Sequence, residues 1–151
     1  MSDVSTDVDA VAETALKVRQ MLSSFDDVDL NDDGTCCLTY GSAQVVVSVT
    51  VFDEDQAVVK CRAQCVTGAT LSPELYRHVA TFSAEVGHLR VVEEDDGTGS
   101  ILFSHSLLGE FLNPAELRMT VVALALLADQ IDDELAATYG GKVFNADGNK
   151  A

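Results

Sequence analysis

The first residues in this chain whose types and spacing could do chemistry are Asp29, Asn31 and Asp33 in the string DLNDDG, oxygen ligands at alternate positions followed by Gly34. Such a string opens a calcium-binding EF-hand loop, in which the glycine makes a sharp turn and the twelfth residue is a bidentate Glu. Counted from Asp29, the twelfth residue is Tyr40, and no carboxylate occurs from Thr35 to Phe52. The run after the glycine, TCCLTYGSAQVVVSVTVF, is rich in β-branched and aromatic residues, so the string leads into a strand where an EF-hand needs a helix. The expected structure is an acidic turn, with Asp, Asn and Gly supplying side-chain caps and positive φ.

The remaining reactive types do not assemble into a site either. His78, His88 and His105 are the three histidines. In a hairpin turning at Asp96-Gly97, His88 faces His105 as a metal pair would; a longer loop sets His88 opposite Leu107, and zinc needs a third ligand in both cases. Cys36 and Cys37 are adjacent, and Cys61 and Cys65 are spaced CxxxC, neither of which is a common zinc spacing. On a strand, Val59, Cys61, Ala63 and Cys65 share one face opposite Lys60, Arg62 and Gln64, which makes the cysteines small core residues. Glu93, Glu94, Asp95 and Asp96 form a carboxylate cluster, but a polar turn without nearby apolar burial gives none of them a reason to act as a general acid. No G-x-S-x-G elbow, glycine-rich phosphate loop or HExxH string occurs. The chain therefore reads as a non-enzyme with no catalytic residue, metal or cofactor.

Composition narrows the partners. A chain of 151 residues with 47% hydrophobic content is one domain of ordinary size with a real core. It holds 25 Asp and Glu against 9 Lys and Arg, a net charge of −16, which disfavours nucleic acid and anionic membranes and leaves protein partners open. The start, MSDVSTDVDAV, has neither the basic opening nor the apolar core of a signal peptide. The longest strongly apolar run, VVALALLA, falls far short of the roughly 18 residues that a membrane span needs. A cytoplasmic protein with reduced thiols is expected.

The elements follow from periodicity. Val8, Val11, Ala15, Val18, Leu22 and Phe25 recur at three- and four-residue steps, predicting a helix over 6–25, with Thr6 and Asp9 as a capping box. Thr35 to Tyr40, then Val45, Val47, Val49 and Val51 in alternation, then AVVKCRAQCV predict a three-stranded antiparallel meander with tight turns at Gly41-Ser42 and Asp53 to Gln56. Ser72 and Pro73 start a second helix with the stripe Leu75, Val79, Phe82 and Val86, stopped by Gly87. HLRVVEEDDGTGSILFSHSLL reads as a hairpin about Asp-Gly. Asn113 and Pro114 open a long helix with Leu117, Val121, Leu124, Ala128, Ile131 and Leu135 on one side, running to Gly140-Gly141. Residues 1–141 make one domain and 142–151 a flexible tail. The string DDGT occurs twice, at Asp32 and at Asp95, each time leading into a strand.

The resulting order, α-β-β-β-α-β-β-α, predicts an α+β fold, a two-layer sandwich of helices on an antiparallel sheet. With the acidic balance, it resembles the secretion chaperones of type III systems and YbjN-like proteins. The strings PELYRHVA, GHLRV, EDDGT, ILFSHSLLG and NPAELR look like a YbjN-domain subgroup described as type III secretion chaperone-like, over roughly Leu22 to Gly141. The resemblance implies a non-enzymatic homodimer holding an extended or partly unfolded client segment, basic or amphipathic in character. A regulatory module binding one folded partner would use the same acidic surface. Two surfaces are expected to serve. Leu75, Val79, Phe82 and Val86, with the outer face of the following hairpin, form the dimer contact, because the long helices leave this element freer to meet a second copy. Leu16, Leu22, Tyr40, Val46 and Phe52 border the client groove, since the valine-rich strand carries apolar residues on both faces.

Overall fold

The computed structural model describes residues 3–31, 33–40, 43–53 and 55–144, with side chains from residue 10 onward. In chain order these form α1 (Asp3–Leu22), β1 (Val28–Leu30), β2 (Cys36–Tyr40), β3 (Ala43–Asp53) and β4 (Gln56–Thr70). There follow α2 (Pro73–Thr81), β5 (His88–Glu93), β6 (Thr98–Leu108), α3 (Pro114–Tyr139) and β7 (Lys142–Val143). The strands make one sheet in the order β1-β2-β3-β4-β6-β5, every pairing antiparallel, with β7 added beside β4.

The meander forms as its alternation predicts. Val45 and Val47 point into the core with their cross-strand partners Ala63 and Cys61, and with Leu38 and Cys36 on β2. On this same face α1 lays Val18 and Leu22, and α3 lays Leu117, Val121, Leu124, Ala128 and Leu135, all buried. Full burial of each Leu stabilises the fold by about 1.5–3 kcal/mol. The element that α3 meets most is β4, whose inward residues are the small Cys61, Ala63 and Cys65. The caps of α3 are those the sequence announced. Asn113 Oδ1 accepts from the amides of Ala115 at 2.9 Å and Glu116 at 3.3 Å, and Gly140 closes the helix.

Several expectations shift. The first helix begins at Asp3 rather than at Thr6, and the Thr6–Asp9 capping box and Val8 fall on side chains outside those described, as does the Gly41–Ser42 turn. A short strand, β1, precedes the meander and pairs with β2. The second helix ends at Thr81, not before Gly87. Phe82 leaves it in an extended conformation, its amide still donating to the His78 carbonyl at 2.9 Å, and its ring sits edge-on to Phe103 at 6.0 Å. Phe82 thus packs inward without needing helix to carry it. The chain does not leave the fold at Gly141 either: Val143 pairs with Val66, Lys142 with Thr67, and the Phe144 amide donates to the Cys65 carbonyl at 2.9 Å. The segment expected as a tail from 142 begins as the strand β7 and keeps one backbone bond at Phe144, and 145–151 lie outside the described residues.

The duplicated DDGT string makes the same turn twice. Asn31 N–H donates to Thr35 O at 2.9 Å and Gly34 N–H to Asn31 O at 3.1 Å; Glu94 N–H donates to Thr98 O at 2.8 Å and Gly97 N–H to Glu94 O at 3.1 Å. In each, an Asp carboxylate accepts from the amide and hydroxyl of the following Thr, Asp33 from Thr35 and Asp96 from Thr98. The glycine between them has φ of +90° in the first and +86° in the second. The DLNDDG string is therefore a β1–β2 hairpin, with Asp29 already in a strand opposite Cys37.

Candidate functional site

The hairpin loop fixes the histidines. With residues 94–97 as the loop, His88 pairs with Ser104, not with His105 or Leu107, while His105 pairs with Cys61. Neighbouring residues on β6 point to opposite faces, so His88 and His105 are separated by the sheet. His78 lies elsewhere, Nδ1 at 2.8 Å from the Tyr139 hydroxyl, where it ties α2 to the end of α3. Among the described residues, no group of three or more His, Cys, Asp or Glu is placed to hold a metal ion. Cys61 and Cys65 are buried in the core, and burial pushes both thiols up to about 12.

The residues expected to border a client groove do not share one surface. Leu22 is fully buried in the core. Leu16 is exposed on α1, in the helix layer, and Tyr40 points to that same side, since it pairs with Ala43. Val46 projects from the opposite face of the sheet, and the exposed Phe52 stands at the far end of β3. A groove bordered by all five is ruled out because the sheet lies between them. Of the residues expected at a dimer contact, Leu75 is fully buried, while Val79 and Phe82 pack against the core and, like Val86, remain half-exposed.

A continuous apolar surface does exist on the helix layer, and Tyr40 is part of it. The α1 helix ends at Leu22, Phe25 N–H donates to the Leu22 carbonyl at 3.1 Å, and Thr39 N–H donates to the Asp27 carbonyl at 3.2 Å. These bonds hold the intervening chain against β2 and present Phe25 to α3. A depression of about 500 Å³ opens there, lined by Phe25, Ala115, Arg118, Met119, Val122, Ala123 and Leu126. Beside it, sharing Phe25 and Val122, is a second depression of about 200 Å³ that reaches Leu38, Tyr40, Val45 and the acidic pair Asp26 and Asp27. Met119 is 73% exposed and Leu126 41%.

Sequence reasoning took only the buried stripe of α3. Met119, Val122, Ala123 and Leu126 form a second apolar row at three- and four-residue steps, offset from the first. A helix apolar on two sides has more to bury than one sheet can cover, and that was the available signal.

The comparisons with known proteins agree with this architecture. Residues 7–147 match the family of T3SS (YopN, CesT) and YbjN peptide-binding chaperones, and the chain belongs to that family. No curated protein matches in sequence. Among solved structures, a chain in the crystal structure of the ExsC–ExsE complex superimposes with a TM-score of 0.58 at 15% identity, covering 83% of this chain and 95% of that one. A chain in the structure of the Yersinia pestis type III secretion chaperone SycH, in complex with a stable fragment of YscM2, gives a TM-score of 0.45 at 17% identity, covering 81% and 96%. The α+β fold with helices on one face of an antiparallel sheet is thus shared with the chain in the ExsC–ExsE complex. Among the described residues no helix is long and apolar enough to cross a membrane.

Proposed function

We propose that this chain is a non-enzymatic chaperone that holds an extended or partly unfolded client segment in the strip formed by Tyr40, Phe25 and the outer row of α3. The observation that carries the reading is the exposure of Met119 and Leu126 on either side of the Phe25 depression, in a member of a peptide-binding chaperone family. Apolar anchors of a client segment fill such a depression without any catalytic group. Asp26 and Asp27 at the Tyr40 end favour a segment with a basic residue on one flank, and the net charge of −16 keeps the open strip soluble between encounters.

The same reading makes the protein cytoplasmic and a homodimer, with the exposed Tyr76 and the half-buried Val79, Phe82 and Val86 of the α2 region at the contact; sedimentation as a monomer at tens of micromolar would remove the dimer. For the client strip, a photo-crosslinker at position 119 in cell extract is expected to capture apolar extended segments. Capture no stronger than from Glu13, exposed on α1, would reject the strip as the binding site.

A further inference from the structure

The face of the sheet turned away from the helices carries a charge pattern that the rest of the molecule does not. Cross-strand register sets Ser48, Lys60 and Ser106 in one row, Val46, Arg62, Ser104 and His88 in the next, and Gln64, Leu102 and Arg90 in a third. Lys60, Arg62 and Arg90 are all exposed, and none has an ion-pair partner among the described residues, in a chain with 25 carboxylates. Among the described residues, carboxylates approach this face through Asp29 on the edge strand β1, Asp53 at the end of β3 and the β5–β6 turn, where Asp95 and Asp96 stand beside Gln64 and Ser100 and Glu94 accepts a hydrogen bond from the Ser100 hydroxyl at 2.8 Å.

The centre is also built to be covered. Between the cations lie Val46, Leu102 and Val92, which with Gln44, Arg62, Gln64, Ser100, Phe144 and, at the turn end, Glu94 line a shallow cavity of about 340 Å³. The Ser104 hydroxyl, flanked in register by Arg62 and His88, is buried with no hydrogen-bond partner among the described residues, and a buried polar atom of that kind calls for one.

We infer that this face is a second docking surface, independent of the α3 strip, and that its occupant is an acidic extended segment of a partner protein. Charge complementarity selects the occupant. Three cations with no ion-pair partner among the described residues, around an apolar centre, take carboxylates flanking apolar side chains, whereas a basic segment would meet like charge at Lys60, Arg62 and Arg90. Geometry sets the spacing. Lys60 and Arg62 are two residues apart on one strand, about 7 Å, and Arg62 and Arg90 are two strands and one row apart, about 12 Å. An extended segment matches these with acidic residues two apart and then four apart. The overall negative charge slows the approach of such a segment from a distance, but beyond about 8 Å it is screened at physiological ionic strength, so the local cations decide binding at contact.

The test uses the full chain and two fluorescent peptides of equal apolar content, one with Glu at positions 1, 3 and 7 and one with Lys at those positions, read by anisotropy. The acidic peptide is expected to bind, to weaken about tenfold or more in Arg62→Glu/Arg90→Glu, and to bind Met119→Asp like the wild type. Both arginines are exposed, so the fold survives their replacement, and the milder Arg62→Gln should give a smaller loss in the same direction. The inference is overturned if the lysine peptide binds as tightly, or if the double glutamate variant keeps wild-type affinity. It is overturned equally if that variant changes sedimentation alone, which would make the face a contact between copies of this chain. A loss confined to Met119→Asp would place the acidic peptide in the α3 strip and leave the outer face without a role.

Discussion

The guanidinium carbon of Arg118 stands 5.4 Å from the centre of the Phe25 ring. This contact ties the first turns of α3 to the segment that leaves α1, and so fixes one wall of the strip proposed to hold a client. An exposed cation–π pair contributes about 0.5–1 kcal/mol. Arg118→Ala should lower stability by that amount in denaturant titration and leave Phe25 more mobile in aromatic NMR spectra. An unchanged Phe25 signal would show that the ring is held by its apolar neighbours alone.

Gly87 is where the chain from α2 to β5 passes closest to the core. Its φ is +80°, and a Cβ placed there would come within 2.6 Å of Phe103 Cε1 and 2.8 Å of the Ser104 carbonyl oxygen. Gly87→Ala combines backbone strain with overpacking and should cost more than about 2 kcal/mol. The measurement is the denaturant midpoint at unchanged slope, and a loss under 0.5 kcal/mol would show that β5 can move aside.

The part of the fold that was legible in the sequence is the part set by local pattern. The valines of β3 and the Asn113, Pro114 and Gly140 signals around α3 each report a local rule, and the elements stand where those rules put them. The end of α2 differs from its spacing because Phe82 keeps the helical interval while packing inward from a loop, so burial mimics periodicity. The hairpin register was missed because it depends on Asp96 accepting both bonds from Thr98, a side-chain device that fixes a four-residue loop. The cation group on the outer face combines residues of β4 and β5 that meet only across β6, and the alternation of Lys60 and Arg62 was its sole visible trace. Of the residues named for the client groove, only Tyr40 lies on the strip proposed here, because which side of a strand the helices cover is settled by packing.

Asp132 is a buried carboxylate on α3, its Oδ1 accepting from the Asp133 amide at 2.7 Å. Burial, with Asp133 and Asp129 nearby, raises its pKa above the ordinary carboxylate value. The folded state therefore favours the neutral acid, and stability falls as pH rises from the ordinary carboxylate pKa through the raised native one. Asp132→Asn keeps the acceptor and removes the charge. It should raise Tm by about 2–3 °C near neutral pH, with the gain vanishing below about pH 4. A gain of equal size at both extremes would show that the charge is not its source.

The four thiols should separate by access. Cys61 and Cys65 are buried with pKa values of about 12, and burial raises Cys36 as well, whereas Cys37 is half-buried on the outer face. Since the thiolate is the nucleophile, iodoacetamide at about pH 8 should label native protein at Cys37 first and reach the other three only on unfolding. Labelling of Cys61 at a comparable rate would show that the sheet opens far more readily than its packing implies.

The central claim is that the Phe25–α3 strip holds client segments, and its most direct measurement is affinity after charge is placed on the two exposed anchors. A peptide captured from position 119 should bind the wild-type chain and lose about tenfold or more in affinity for Met119→Asp/Leu126→Asp, with circular dichroism and Tm unchanged. Wild-type affinity in that folded variant would contradict the account and move the client site elsewhere on the molecule.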